Sequence, residues 1–200
     1  MPRPPARAAR SGPAVRRPGR VLTGLLLALA AAAGAGGWWW ITARLAHRYD
    51  PLIRAVAAPH GVDPALVKAV VWRESRFHAH ARGAAGELGL MQVSDAAAQE
   101  WAESVGVYPL PETHLLDPRT NLLAGTWYLA KLLQRYARTD APEVFALADY
   151  NAGRGHVLKW ARDAATTNSA AFRDAIGFPS TRAYVEHVLA HRERYRRDFQ

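Results

Sequence analysis

The feature that most constrains the fold of this chain is an apolar segment that begins at Asp63-Pro64 and carries one acidic residue, Glu74. Its large apolar residues recur at the spacing of one helix face, namely Leu66, Val67, Val70 and Val71. Glu74 falls on the same face, which is expected to point into the protein. Because burial disfavours the charged form of a carboxyl group, its pKa should be raised, as a general acid requires. A glutamate paired with a neighbour at the rim of a core helix is the structural alternative.

Three further motifs follow Glu74-Ser75 along the chain. They are Gly86-Glu87-Leu88-Gly89-Leu90-Met91-Gln92-Val93, then Ala148-Asp149-Tyr150-Asn151-Ala152-Gly153, and finally Thr181-Arg182-Ala183-Tyr184-Val185. Together the four motifs resemble the soluble lytic transglycosylase family, the lysozyme-like enzymes that cut peptidoglycan glycan strands. The resemblance covers about residues 50–195. One motif alone is a weak signal, but four in the family's order are specific.

The resemblance implies cleavage of the β-1,4 bond between N-acetylmuramic acid and N-acetylglucosamine, with a 1,6-anhydro product and no metal or organic cofactor. Glu74 would be the catalytic residue, first as acid and then as base. The same resemblance implies a set of substrate-binding residues: Ser75, Met91, Gln92, Tyr150, Asn151 and Tyr184. Structural alternatives exist for several of them, such as a helix end for Ser75 and core packing for Met91. The ring of Tyr184 is expected in the core, with its hydroxyl in the cleft.

Asp149 departs from the family pattern, which more often has a small residue before the tyrosine. We interpret it as a solvated charge at a helix end. The alternative is a second carboxylate that directs water, which would make the protein a lysozyme-type hydrolase. A non-catalytic peptidoglycan-binding scaffold is a third possibility, disfavoured because a pure binder has no use for a desolvated acid.

Basic residues are concentrated at the N-terminus. The chain has 26 Lys and Arg against 17 Asp and Glu, a formal net charge of +9. Six of the basic residues lie within residues 1–20, which contain no acidic residue: Arg3, Arg7, Arg10, Arg16, Arg17 and Arg20. The rest of the chain has only a small positive excess and no basic face with interleaved aromatics, so nucleic acid is not an expected partner.

Residues 21–41 contain no charged side chain and, at about 30 Å as a helix, are long enough to cross a bilayer. Three tryptophans, Trp38, Trp39 and Trp40, lie where interfacial aromatics are expected. We interpret the segment as a single-pass inner-membrane anchor, with residues 1–20 as a cytoplasmic tail and the remainder in the periplasm. The alternative is a cleaved signal peptide, processed at the small residues Ala33-Gly34-Ala35, followed by secretion. Protein partners are not indicated.

Residues 48–198 are predicted to form one mainly α domain, which by the resemblance is lysozyme-like, of the goose-type lysozyme or lytic transglycosylase kind. Residues 76–93 are predicted to form a loop or short hairpin that lines the cleft, and residues 105–116 a connecting loop. Gly153 is expected to be a left-handed C-cap and Ser180 an N-cap. Helices are predicted over 48–59, from Pro64, from Ser94 through Ser104, from Pro118, from Pro142 to Asn151, over 155–163, and after Ser180.

The eight histidines raise the question of a metal site. His187 and His191 are four residues apart on a predicted helix, a spacing that can bind a metal. Neither a third ligand nor the glutamate of the zinc-protease pattern accompanies them. His78 and His80 are two apart on an irregular segment. We therefore expect surface histidines and no metal.

Overall fold

The structure is a computed structural model that describes residues 18–200, except for the side chains of residues 18–22, 35–36 and 38–43. The chain divides into two units, Met1–Ala43 and Arg44–Gln200. The α-helices of the described residues are α1 (Pro18–His47), α2 (Asp50–Ala57), α3 (Pro64–Ser75), α4 (Asp95–Ser104), α5 (Pro118–Arg135), α6 (Pro142–Ala152), α7 (Arg154–Trp160), α8 (Ser169–Ala175) and α9 (Pro179–Tyr195). Four short 3-10 helices complete the list: Ala58–His60, Glu112–Leu116, Asp163–Thr166 and Arg196–Phe199.

In the first unit the described residues belong to α1, and four of its leucines are exposed: Leu25, Leu26, Leu27 and Leu29. Among the described residues, no helix combines the length and the apolar character that crossing a bilayer requires. The arginine side chains of the basic tail and the indole rings of Trp38, Trp39 and Trp40 lie outside the described residues. The division into tail, anchor or signal segment, and domain therefore stays a prediction.

The second unit is mainly α, as predicted. Two isolated β-bridges, Arg82 with Leu88 and Leu88 with Val93, are present, but no strand is found among the described residues. Both bridges lie within residues 76–93, the segment predicted to be a loop or short hairpin. Residues 76–93 are therefore a folded segment between α3 and α4, the glycine-bearing loop.

Helix α3 lies at the centre of this unit. All of residues 65–71 are buried, so the helix is enclosed on every side and not only on the predicted apolar face. Its most extensive partner is α9, and α2 also packs against it. Enclosure of residues 65–71 fixes the position of the last turn, which carries Glu74.

The enclosed part of α3 includes a lysine. Lys68 is fully buried, and its Nζ lies 2.6 Å from carboxylate oxygens of both Asp50 and Asp198. A buried ammonium needs such partners because its desolvation is costly. The two ion pairs tie the start of α2 and the C-terminal 3-10 helix to the middle of α3.

Capping residues begin three helices at the predicted positions. The carboxylates of Asp63 and Asp117 and the hydroxyl of Ser94 each accept a backbone N–H of the first turn, at 2.8, 3.0 and 3.3 Å. These contacts satisfy N–H groups that have no partner within the helix. Gly61 lies just after the helix that was predicted over 48–59, and its backbone is left-handed, with φ 62°.

Other helix ends differ from the predictions. Gly153 has the expected positive φ of 83°, but its ψ of 154° is extended and not left-handed helical. The N-cap of α9 is Phe178, with Pro179 as the first helical residue, so the prediction of Ser180 as cap is wrong. Proline is favoured at that position because its missing N–H would have no partner there. The helix predicted over 155–163 ends at Trp160, and α8 was not predicted.

Candidate active site

Glu74 lies in the last turn of α3, where the chain turns sharply into the following loop. Arg76 and Phe77 both have positive φ, 51° and 66°, which is uncommon for residues that carry a side chain. The N–H of Arg76 still donates to the carbonyl of Trp72 at 3.1 Å, and Phe77 is buried. This turn ends the helix directly after Ser75 and leaves Glu74 half-buried.

Burial dominates the protonation of Glu74. Desolvation raises the pKa of Glu74 from its ordinary value of 4.5 to about 7. The hydroxyl of Tyr184, which donates to Oε1 at 2.6 Å, opposes this rise, as does the positive charge of Arg73, whereas the negative charge of Glu87 adds to it. A carboxyl group with such a pKa is present in both forms at neutral pH and can serve as acid and as base.

Tyr184 reaches Glu74 from α9, 110 residues further along the chain. Its ring is fully buried, and desolvation raises the pKa of Tyr184 well above its ordinary value of 10.0. The hydroxyl therefore stays protonated and donates to the carboxylate. The predicted placement of the ring agrees with the structure, and the hydroxyl meets the predicted acid itself.

Side chains from three helices hold the backbone of the glycine-bearing loop. The hydroxyl of Ser75 donates to the Leu90 carbonyl at 2.7 Å, and that of Tyr150 donates to the Met91 carbonyl at 2.8 Å. The amide of Asn121 accepts from the Met91 N–H at 2.8 Å. The loop is therefore fixed to α3, α5 and α6 next to Glu74.

Asn121 is a site residue that sequence reasoning missed. It is fully buried, and its Nδ2 also donates to the carbonyls of Leu88 and Leu115, at 2.7 and 2.9 Å. Gly89 is required beside it, because a Cβ there would collide with the Asn121 amide, and its φ of 75° favours glycine. The signal that could have found it is a polar asparagine, four residues before Gly125, within the apolar stripe of α5.

Met91 occupies the core, which was the structural alternative to a substrate contact, and the amide nitrogen of Gln92 turns into its own loop. The side chain of Met91 is fully buried, and a Cβ at Gly125 would come within 2.5 Å of its sulfur. The Nε2 of Gln92 donates to the carbonyls of Ala81 and Gly89, at 3.1 and 2.9 Å. Both amide protons of Gln92 are thus used inside the loop, which leaves Oε1 as its group for a ligand donor.

Tyr150 and Asn151 end α6 with different surroundings. Tyr150 is half-buried, and its ring lies 5.7 Å from that of Tyr128. Asn151 is exposed, and its Oδ1 accepts from the Thr181 hydroxyl at 2.8 Å. The asparagine therefore links the end of α6 to the first turn of α9, which carries Tyr184.

Asp149 is not the solvated helix-end charge that the sequence predicted. It is buried, and its Oδ2 accepts from Arg135 Nη1 and from the Tyr136 hydroxyl, both at 2.7 Å. Its Oδ1 is buried without a hydrogen-bond partner. Packing of α5 against α6 encloses it, because Arg135 lies at the end of α5. A carboxylate committed to this ion pair is poorly suited to activate water.

The carboxylate whose charge acts on Glu74 is Glu87. It is half-buried in the glycine-bearing loop, and its Oε2 accepts from the Ala85 N–H at 3.2 Å. A Cβ at Gly83 would meet both this carboxylate and the Gln92 Oε1. Glycine at position 83 therefore leaves space in which two acceptor oxygens converge.

The histidines of α9 do not share a ligand geometry. The ring of His191 stacks on Trp72, with centroids 3.3 Å apart, and its Nδ1 contacts the His187 carbonyl at 2.8 Å. Among the described residues one group could hold a metal, formed by His47, Asp50 and Asp198. The ammonium of Lys68 already lies against both of those carboxylates.

A cavity of about 510 Å³ lies between residues 60–62 and the C-terminal half of α5. Trp127, Lys131 and Gln134 line it, and Lys131 is ion-paired with Glu100. None of the lining residues is a predicted site residue.

Comparisons with known proteins cover most of the helical unit. The chain is 40% identical over 113 residues to the membrane-bound lytic murein transglycosylase F of Desulfosudis oleivorans. The aligned residues make up 55% of this chain and 23% of that protein. It is 32% identical over 151 residues to the soluble lytic murein transglycosylase of Escherichia coli, covering 74% of this chain and 23% of that protein. The X-ray structure of an inactive mutant of the lytic transglycosylase Slt from Pseudomonas aeruginosa superimposes with a TM-score of 0.68 at 28% identity, over 74% of this chain and 24% of that one.

These matches show that the fold is mainly α and lysozyme-like, of the lytic transglycosylase kind, as the resemblance implied. Residues 51–172, more than half of the chain, match the family described as "Transglycosylase SLT domain", and the chain belongs to that family. The chain spans less than a quarter of the length of each of the three proteins named above.

Proposed function

We propose that the helical unit is a lytic transglycosylase that cleaves the β-1,4 bond between N-acetylmuramic acid and N-acetylglucosamine in peptidoglycan. The observation that carries this proposal is the half-buried Glu74, whose pKa is raised to about 7 and which accepts a hydrogen bond from Tyr184. Membership in the SLT family and the names of the similar proteins support the choice of substrate.

In the proposed reaction Glu74 begins protonated and donates its proton to the bridging oxygen as the bond from that oxygen to C1 breaks. The N-acetyl oxygen of the same sugar bonds to C1 and takes up the positive charge. Glu74, now a carboxylate, removes the proton of the C6 hydroxyl, whose oxygen attacks C1 and displaces the N-acetyl oxygen. The products are a 1,6-anhydro end and a free 4-hydroxyl, and neither water nor a cofactor is consumed.

The substrate-binding residues divide into three groups in this proposal. Gln92, through Oε1, and the exposed Asn151 are the groups that contact the sugars or their acetamido substituents. Ser75, Met91 and Tyr150 shape the cleft through the loop backbone that their hydrogen bonds hold. Tyr184 orients the carboxylate of Glu74.

A lysozyme-type hydrolase is the second candidate, because most glycosidases use two carboxylates and Glu87 lies close enough for its charge to act on Glu74. In that reaction Glu87 would accept a proton from water, whose oxygen would bond to C1 and leave a reducing end. The C6 hydroxyl has the advantage of being held on the substrate at high effective concentration.

Product analysis by mass spectrometry separates these candidates. Digested peptidoglycan should yield muropeptides that end in 1,6-anhydro-N-acetylmuramic acid, each lighter by one water than a hydrolase product. Predominant reducing ends would contradict the transglycosylase and favour the hydrolase. A protein that binds peptidoglycan without releasing any muropeptide would be the scaffold, and the proposal of an enzyme would fail.

We further propose that the catalytic unit acts outside the cytoplasm, delivered by residues 21–41 as an anchor or as a cleaved signal segment. Support comes from the uncharged segment after the arginine cluster and from a relative named as membrane-bound. An anchored protein should stay in membranes after an alkaline carbonate wash. A mature N-terminus near Gly36 would establish the cleaved form instead.

A further inference from the structure

Arg73, next to the acid in the sequence, is a cation that has no anionic partner among the residues that the structure describes. Its guanidinium lies over the ring of Tyr184, with Cζ 5.2 Å from the ring centroid, and it is half-buried. No hydrogen bond and no ion pair reach it from the described residues. Glu74, its neighbour in sequence, is not ion-paired with it, and Oε1 of Glu74 accepts instead from Tyr184.

Two other half-buried arginines in the unit are ion-paired. Arg135 donates to Asp149 at 2.7 Å, and Arg192 donates to Asp63 and Glu143, at 2.7 and 2.9 Å. A guanidinium offers five N–H donors that match a carboxylate in two parallel hydrogen bonds. Arg173 of α8 is half-buried and also lacks an ion pair among the described residues, so what distinguishes Arg73 is its position directly before the candidate catalytic acid.

We propose that Arg73 is a specificity-determining residue that binds a carboxylate of the glycan substrate, so that peptide-bearing strands are preferred to neutral ones. The inference rests on the function proposed above. Peptidoglycan carries such carboxylates on the short peptides attached to its muramic acid residues, whereas a chitin-type oligosaccharide of N-acetylglucosamine has none. Affinity for the anionic strand should therefore depend on Arg73, and affinity for the neutral one should not.

Binding of the substrate carboxylate to Arg73 would also change the protonation of Glu74. The charge of Arg73 lowers the pKa of Glu74 in the free protein, while desolvation and the charge of Glu87 raise it. A substrate carboxylate that neutralises Arg73 adds a negative charge nearby, so the pKa of Glu74 rises and its acid form becomes more populated in the complex. The correct substrate would thus favour the protonation state that the first step needs.

The test compares two ligands by calorimetry on the full chain with Glu74→Gln in the background, which prevents turnover. One ligand is a peptide-bearing tetrasaccharide with free carboxylates, and the other is neutral chitotetraose. Adding Arg73→Gln should weaken binding of the first by about 10- to 100-fold, the range of a charge-assisted hydrogen bond, and of the second by less than about twofold. Arg73→Lys should recover part of the loss.

Arg76→Gln is the matched control, since it removes the same charge at the same helix end, from a guanidinium that lies 3.6 Å over the Trp72 ring. It should leave the ratio of the two affinities unchanged within about twofold. Equal weakening of both ligands by Arg73→Gln would overturn the inference and leave the proposed function standing. If the protein with intact Arg73 bound neither ligand, the proposed function would fail, and the inference with it.

A second readout uses the enzyme with Glu74 intact. Arg73→Gln should raise KM for peptide-bearing strands much more than it lowers kcat. In the free enzyme, loss of the positive charge should move the limb of the pH profile of kcat/KM that reports Glu74 to higher pH. An unchanged KM and an unmoved limb would contradict a role at the cleft.

Discussion

The two halves of helix α3 each hold an ionisable side chain, and their surroundings are opposite. In the middle of the helix Lys68 is fully buried and lies 2.6 Å from two carboxylates. In the last turn Glu74 is half-buried and has a hydroxyl and no cation as its direct partner. The first arrangement fixes a charge, whereas the second leaves a proton free to move.

Asp149 and Glu74 repeat this contrast between two carboxylates. Asp149 is buried against Arg135, so its negative charge is held by a salt bridge. Glu74 faces competing influences, since desolvation and Glu87 raise its pKa while Tyr184 and Arg73 lower it. A carboxyl group becomes a useful acid at neutral pH when burial is not compensated by an ion pair.

The largest expected effect is that of Glu74→Gln, which keeps the shape but cannot exchange a proton. General acid–base catalysis contributes about 10²–10⁴-fold, and a single group that performs both roles should reach the top of that range. Clearance of a peptidoglycan suspension measures the loss. Glu103→Gln, at an exposed position of α4, is the matched control and should retain full activity.

The same variant tests whether the unpaired acid reduces stability. With a folded pKa of about 7 against 4.5 unfolded, the native state holds a proton that the unfolded state releases between these values, so stability falls as pH rises through this window. Glu74→Gln should therefore match the wild type at pH 4 and exceed it at pH 8 by roughly 2–3 kcal/mol in urea unfolding. An equal difference at both pH values would contradict the raised pKa.

Lys68→Met tests the ion-paired middle of α3. It leaves Asp50 and Asp198 close together without their shared cation, so the free energy of unfolding should fall by about 3–5 kcal/mol. Urea unfolding measures this loss, with Lys159→Met on the exposed side of α7 as control. Activity per folded molecule should stay within about twofold, and a loss like that of Glu74→Gln would show that the two halves of α3 are not separate in function.

Tyr184→Phe tests how the hydroxyl of Tyr184 affects the pKa of Glu74. Loss of the 2.6 Å hydrogen bond removes an interaction that lowers the pKa of Glu74, so the alkaline limb of the activity profile should move to higher pH. Turnover should fall by about tenfold, because the carboxylate formed after proton donation loses its donor. If turnover fell but the alkaline limb stayed at the same pH, Tyr184 would contribute only through packing.

The smallest expected effect is that of Glu87→Gln. The amide keeps an acceptor for the Ala85 N–H but removes the charge that raises the pKa of Glu74, so the alkaline limb should move to slightly lower pH. For a transglycosylase the anhydro products should persist and turnover should change by only a few-fold. Conversion of a reducing-end product pattern into an anhydro pattern would instead identify Glu87 as the base of a hydrolase.

Local signals account for what could be predicted about the fold. Asp63, Ser94 and Asp117 cap helices through contacts within three residues, so their role is visible in the sequence. Phe178 caps α9 without a side-chain hydrogen bond, and a serine two residues later was the more obvious candidate. The prediction failed there because backbone geometry and Pro179 determined the start.

Burial of polar side chains could not be predicted in the same way. Asp149 follows the apolar residues of α6 and looks like a helix-end charge, yet Arg135 from α5 encloses it. Asn121 and Lys68 likewise became buried through partners up to 130 residues away. Each depends on how helices pack against one another, which periodicity within one helix does not record.

The sequence by itself determined the helical class, the family motifs and Glu74 as the candidate acid, because these depend on local spacing and on residue order. The tertiary structure alone decided the state of that acid. Tyr184 reaches it across 110 residues, Arg73 and Glu87 act on it from the helix and the loop, and enclosure of α3 supplies the desolvation. The pKa of a carboxyl group is set by distances and by excluded water, and both exist only once the chain has folded.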